Sequence, residues 1–92
     1  MKNTSVYKRR SDNRTFVLAY EGNTLTIAHD HDTRSIKCLE NKEYSIKHNK
    51  HSVSGQGGAA GIFKTLKEMI DMDFMTLYVD AVIDKLYPEY KA

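Results

Sequence analysis

The first half of the chain alternates. Phe16, Leu18 and Tyr20 take turns with Thr15, Val17 and Ala19, and beyond Glu21-Gly22-Asn23 the alternation resumes with Leu25 and Ile27 between Thr24, Thr26 and Ala28. A period of two places one set of side chains on each face of a β-strand. Gly-Asn between two such runs predicts a tight hairpin, because both residues tolerate positive φ. Ile36 with Cys38, and Tyr44 with Ile46, continue the pattern through two short runs separated by Glu40-Asn41-Lys42. One more run, around residues 6–9, precedes the turn-like Ser11-Asp12-Asn13. These runs predict a four- to five-stranded antiparallel meander over about residues 4–48. Its apolar face would carry Phe16, Leu18, Leu25, Ile27, Ile36, Tyr44 and Ile46.

The period changes past residue 52. The stretch 52–61 holds Gly55, Gly57, Gly58 and Gly61 and reads as a glycine-rich connection. Ile62, Phe63, Leu66, Met69 and Ile70 then recur at helical spacing opposite Lys64, Lys67 and Glu68, which predicts a helix over about 59–71. A second helix, about 73–87, would be capped by Asp71 or Asp73 and stopped by Pro88. It is apolar almost all round. Either the first helix and the sheet sandwich it, or an outer face with Phe74, Tyr78 and Val82 meets another chain, and a homodimer is the expected cover. The expected fold is α+β, a single domain over 1–92, with the meander followed by two C-terminal α-helices.

Composition narrows the class. The chain has 92 residues, 40% hydrophobic and 28% charged, which suits one folded domain. No apolar run approaches the ~20 residues of a membrane helix. The N-terminus is charged but lacks the apolar stretch of a secretory signal. A single cysteine, Cys38, rules out an internal disulfide and suits a reducing compartment. The expectation is a cytoplasmic protein without membrane contact. The net charge of +2 is unevenly spread: residues 1–55 hold ten basic and six acidic groups and all four histidines, residues 56–92 four basic and six acidic.

Two basic clusters follow from that split, Lys8-Arg9-Arg10 with Arg14, and Lys47-His48-Asn49-Lys50-His51. With Tyr7, Phe16, Tyr20 and Tyr44 nearby, a basic sheet edge of Lys8, Arg9, Arg10, Arg14, Lys47 and Lys50 would contact nucleic-acid phosphates. The competing reading is a solvated edge whose charges deter pairing between sheets. Gly55-x-Gly57-x-x-Ala60 formally satisfies a dinucleotide fingerprint, but no strand follows the helix. What remains is an anion-binding loop at Gly55, Gly57 and Gly58, where a helix start leaves N–H groups free.

His29 and His31 would share a face if both lay in a strand, and His48 could join them as a third metal ligand. No cysteine pair or His-Glu-x-x-His accompanies them, so neither a metal nor another cofactor is expected. Cys38 alternates with Ile36 into the core, and Ser52 and Ser54 adjoin His51 only in sequence. No nucleophile with a base and an orienting group is recognisable. The chain is therefore read as non-enzymatic, with a small histidine- or metal-dependent nuclease as the remaining enzymatic option.

Short length, strands followed by two helices and no catalytic motif give the chain a general character. In it the chain resembles the small accessory proteins of bacteriophages that bind and block a host enzyme, a toxin or a defence nuclease. The resemblance implies an inhibitor working in the host cytoplasm. DNA-mimicking inhibitors are strongly acidic and this chain is not, which moves the expectation toward RNA. The leading expectation is a binding protein that contacts nucleic acid, RNA favoured, or a nucleic-acid-processing complex. The alternative is an inhibitor or adaptor that docks on a host protein through the apolar C-terminal helix without touching nucleic acid.

Overall fold

The structure is a computed structural model and describes residues 4–91. Strands β1 (Thr4–Lys8), β2 (Thr15–Glu21), β3 (Thr24–His29) and β4 (Asp32–Lys37) form one antiparallel sheet in the order β1-β2-β3-β4. Strands β5 (Glu43–His48) and β6 (His51–Gln56) form a separate two-stranded sheet. Helices α1 (Gly58–Met72) and α2 (Thr76–Leu86) follow, and a 3-10 turn, Pro88–Tyr90, closes the chain. The architecture is α+β, a strand meander and then two C-terminal helices, as the periodicity predicts. It differs in three places: the sheet is split after β4, part of the expected glycine-rich connection is strand β6, and α2 begins later than residue 73.

The alternation in β2 and β3 does what a period of two should. Phe16, Leu18, Leu25 and Ile27 are fully buried, and the register sets Leu18 opposite Ile27 across the hairpin. Against them pack Ile62, Phe63 and Leu66 of α1 and Val79 and Ile83 of α2. Each such side chain contributes about 1.5–3 kcal/mol by leaving water. Tyr87, just past α2, closes this core; its hydroxyl donates toward the carbonyl oxygens of Ile27 and Asp32, 2.8 and 2.7 Å away.

The sheet splits because the chain after β4 is tied elsewhere. Cys38 donates its N–H to the Asn23 carbonyl at 2.7 Å, while the carbonyls of Cys38 and Lys42 accept from Ala59 and Gly58, each at 3.2 Å. The first turn of α1 is thereby held against the loop of residues 38–42. Strand β5 packs on α2 instead of on β4. Its partner β6 returns through the two-residue turn Asn49-Lys50, with Asn49 at φ 55° and His48 paired with His51. Val53 is the only large apolar residue of β6, so period two is invisible there.

Between the helices, Asp73 (φ 49°) and Met75 (φ 59°) are left-handed. The expected side-chain cap from Asp71 or Asp73 does not form. Asp73 instead ends α1, where its N–H and that of Phe74 reach the carbonyls of Ile70 and Met69, at 3.2 and 3.0 Å. Among the described residues no helix is long and apolar enough to cross a membrane.

Candidate functional site

Arg9 was expected on a basic binding edge. It is instead 2% exposed and enclosed by acceptors. Its guanidinium binds both Asp12 oxygens (3.2 and 2.5 Å), one Asp84 oxygen (2.8 Å) and the Tyr90 carbonyl (3.0 Å), and lies 5.3 Å from the centre of the Phe16 ring. The β1–β2 turn, α2 and the C-terminal turn are thus fastened to one side chain. The Asp12 carboxyl is held down at about 2, chiefly by its hydrogen bonds from Arg9. Beside this group Tyr7 donates to Asp80 at 2.6 Å. Burial pushes the Tyr7 hydroxyl up, as does Asp80 next to it. Burial also raises the Asp80 carboxyl, against the lowering pull of Tyr7 and Arg9.

The other arginines are also engaged. Arg10 pairs with Asp73 at 2.6 Å on the open surface, and Arg14 pairs with Asp12 and lies 3.9 Å over the Tyr90 ring. Arg34, on the inner face of β4, stacks 4.2 Å from the Tyr87 ring centre and donates to Leu86 O and to both Glu89 oxygens. It closes the C-terminal end of α2, and its guanidinium holds the Glu89 carboxyl at about 2.

The proposed anion loop is likewise occupied by the protein itself. Gly58 and Ala59 spend their N–H groups on the carbonyls of Lys42 and Cys38. A Cβ on Gly58, whose φ is +62°, would run into those of Cys38 and Leu39. Gly55 lacks a side chain because the Tyr44 ring lies over it, with that hydroxyl 2.7 Å from Thr65 Oγ1. Gly57 is the left-handed residue that opens α1.

The histidines do not converge. His31 sits in the β3–β4 turn rather than in a strand, His29 packs among the rings of Phe16 and Tyr90 at 5.1 and 5.3 Å, and His48 faces Tyr78. Among the described residues no group of three metal-ligating side chains forms. The stacking rings are equally committed: Phe16 and Tyr7 are core, and Tyr20 packs on Phe63 at 5.1 Å. Of the expected partner face only Phe74 is open, at 62% exposed. Tyr78 is half-buried and Val82, at 8%, belongs to the core, because α1 and the sheet cover that side of α2.

Three surfaces are left. Lys47 and Lys50 sit on the β5–β6 hairpin, and neither they nor Lys8, Lys37, Lys85 or Lys91 form an ion pair among the described residues. A cleft of about 580 Å³ separates the hairpin tip from α2, and there Arg9 and Ser11 meet Lys47, Asn49, Lys85 and Lys91, so the two basic clusters of the sequence do border one space. A groove of about 530 Å³ lies where the sheet is split, with Ile36, Ile46, Ile62 and Val82 as its floor and Lys37, Lys47 and Lys85 at its rim. Third, Met72, Phe74, Met75 and Leu77 are all exposed at the α1–α2 turn. That turn was missed by the periodicity because Phe74 and Met75 precede the helix they seemed to join. Comparison with protein-family models, with curated proteins and with solved structures finds no match.

Proposed function

We propose that the chain is a non-enzymatic docking protein, an inhibitor or adaptor that holds another protein through the apolar turn between α1 and α2. The observation that carries this reading is the run Met72, Phe74 and Leu77, which are 73, 62 and 57% exposed. Large apolar side chains grouped in this way mark contact sites, and methionine adapts to varied partners. The nearby charges are already paired, Asp73 with Arg10 at 2.6 Å and Asp71 with Lys67 at 2.5 Å. The turn thus sets its apolar side chains beside charges that are paired with one another. Two left-handed residues on either side of Phe74 give the turn a defined shape.

The nucleic-acid reading loses most of its instruments. Arg9 is enclosed, the Tyr7 and Phe16 rings are core with Tyr20 and Tyr44 packed against it, and the helix N-terminus is filled. It keeps one specific support: Lys47, Lys85 and Lys91 line the cleft without an ion-pair partner among the described residues, and lysines so placed suit a phosphate backbone.

Capture from native lysate, with and without RNase, tests both. The docking reading expects a retained protein that is insensitive to RNase and lost in the Phe74→Asp/Leu77→Asp variant. Retention that disappears with RNase and survives in that variant overturns it in favour of nucleic acid. Light scattering adds the case of a second copy: a mass twice 10.6 kDa that falls to one unit in the variant makes the turn a homodimer seam.

A further inference from the structure

We infer that the groove between β4 and β5 receives an extended, acidic segment of a partner protein, which pairs with the free edge of β4 as an added strand. The inference rests on the reading of the chain as a docking protein but uses a different surface from the apolar turn. Three observations converge on a polypeptide as the occupant.

The first is backbone. Among the described residues, strand β4 pairs only with β3, and β5 only with β6, so each has an edge without a strand partner. Side chains of both parities line the groove, Ile36 with Lys37 on one side and Ser45 with Ile46 on the other, as happens at a strand edge and not on a sheet face. An unpaired edge is a template for a further strand. The second is shape and polarity. The space is about 530 Å³ and floored by Ile36, Ile46, Ile62 and Val82, an apolar floor that suits every other side chain of an extended segment. The third is charge. Lys37, Lys47 and Lys85 stand at the rim without an ion-pair partner among the described residues. Lysines at an edge deter two copies of the same chain from pairing. The same charges attract an acidic strand whose alternate side chains point back toward the rim.

The test titrates three capped nonapeptides into 15N-labelled protein: alternating Glu and Val, alternating Lys and Val, and the Glu–Val peptide with N-methyl groups on alternate residues. The inference expects saturable shifts from the Glu–Val peptide at the amides of Lys37, Ser45 and Lys47. The N-methylated peptide should bind at least about tenfold more weakly, since half its donors are gone, and the Lys–Val peptide should leave these amides unmoved. In the variant Lys37→Glu/Lys47→Glu/Lys85→Glu the preference should reverse between the acidic and basic peptides. No saturable shift from the Glu–Val peptide, shifts confined to other surfaces, or equal binding of the N-methylated peptide each overturn it. So does polyuridylate moving the groove amides when the acidic peptide does not. A silent groove together with RNase-insensitive capture that depends on Phe74 and Leu77 would discard this inference and leave the docking reading standing.

Discussion

Arginine and lysine divide this molecule between them. All four arginines are ion-paired: Arg9 with Asp12 and Asp84, Arg10 with Asp73, Arg14 with Asp12, and Arg34 with Asp32 and Glu89. Among the described lysines only Lys67 is paired, with Asp71. Arg9, Arg14 and Arg34 bind the four-stranded sheet and its first turn to α2 and the C-terminal turn, while Arg10 reaches Asp73 at the end of α1. The unpaired lysines Lys37, Lys47 and Lys85 border the groove where the sheet is split. The chemistry explains the allocation. A guanidinium presents several donors in a fixed plane and can satisfy two carboxylates and a carbonyl at once, as Arg9 does, whereas an ammonium on a flexible stem stays hydrated at the surface. Net charge counted along the sequence treats both as +1, and so places binding where the structure places fastening.

The comparison can be broken most severely at Arg9. Arg9→Ala leaves Asp84 without its cation, Asp12 with Arg14 alone, and the Tyr90 carbonyl without its donor. A loss of about 3–5 kcal/mol is expected, read from the denaturant midpoint at constant slope; a loss below about 1 kcal/mol would make Arg9 ornamental. Next comes Gly58→Ala, where positive φ adds to collision with the Cys38 and Leu39 carbonyls. It should cost at least about 2 kcal/mol. Gly22→Ala is its control, since φ is also positive (+58°) but the space is open, and about 1 kcal/mol is expected. Equal losses at the two glycines would show that the contact between α1 and the loop of residues 38–42 contributes nothing.

A smaller effect follows from acid. Asp12 and Glu89 sit at about 2 in the fold, below their ordinary 3.8 and 4.5. A carboxyl lowered by folding stabilises the protein above its unfolded value, and that gain is lost as pH falls through the folded value. The unfolding midpoint should therefore decline from about pH 4.5 down to about pH 2. Asp80, raised by burial, works in the opposite sense as it takes up its proton. A midpoint that is flat over this range contradicts the arginine fastenings. Smallest of all, Phe74→Asp should alter stability by no more than about 0.5 kcal/mol, because the side chain is exposed and has little packing to lose.

Local order was legible in the sequence and long-range partnership was not. The β2–β3 hairpin, its buried residues Phe16, Leu18, Leu25 and Ile27, the period of α1 and the stop at Pro88 all rest on neighbours a few residues apart. Arg9 could not be read, because Asp84 and Tyr90 lie 75 and 81 residues away in sequence. Strand β6 could not be read because Val53 alone marks its inward face. In the sequence the glycines read as a flexible connection that could also hold an anion. At Gly55 and Gly58 they are close approaches within the protein, to the Tyr44 ring and to the Cys38 and Leu39 carbonyls. Helix α2 looked apolar all round since the sequence does not say that α1 and the sheet cover Val79, Val82 and Ile83. What it leaves open is the turn before the helix.

The division between fastening arginines and free lysines is tested most directly by measuring two charge changes side by side. Arg9→Lys keeps the charge and removes the fork, while Lys37→Gln/Lys47→Gln/Lys85→Gln removes three charges and no fastening. Urea unfolding at neutral pH should show Arg9→Lys weakened by about 2 kcal/mol. The triple variant should stay within about 0.5 kcal/mol per site of the unaltered chain. A triple variant that falls as far as Arg9→Lys, or an Arg9→Lys that does not fall, contradicts the account.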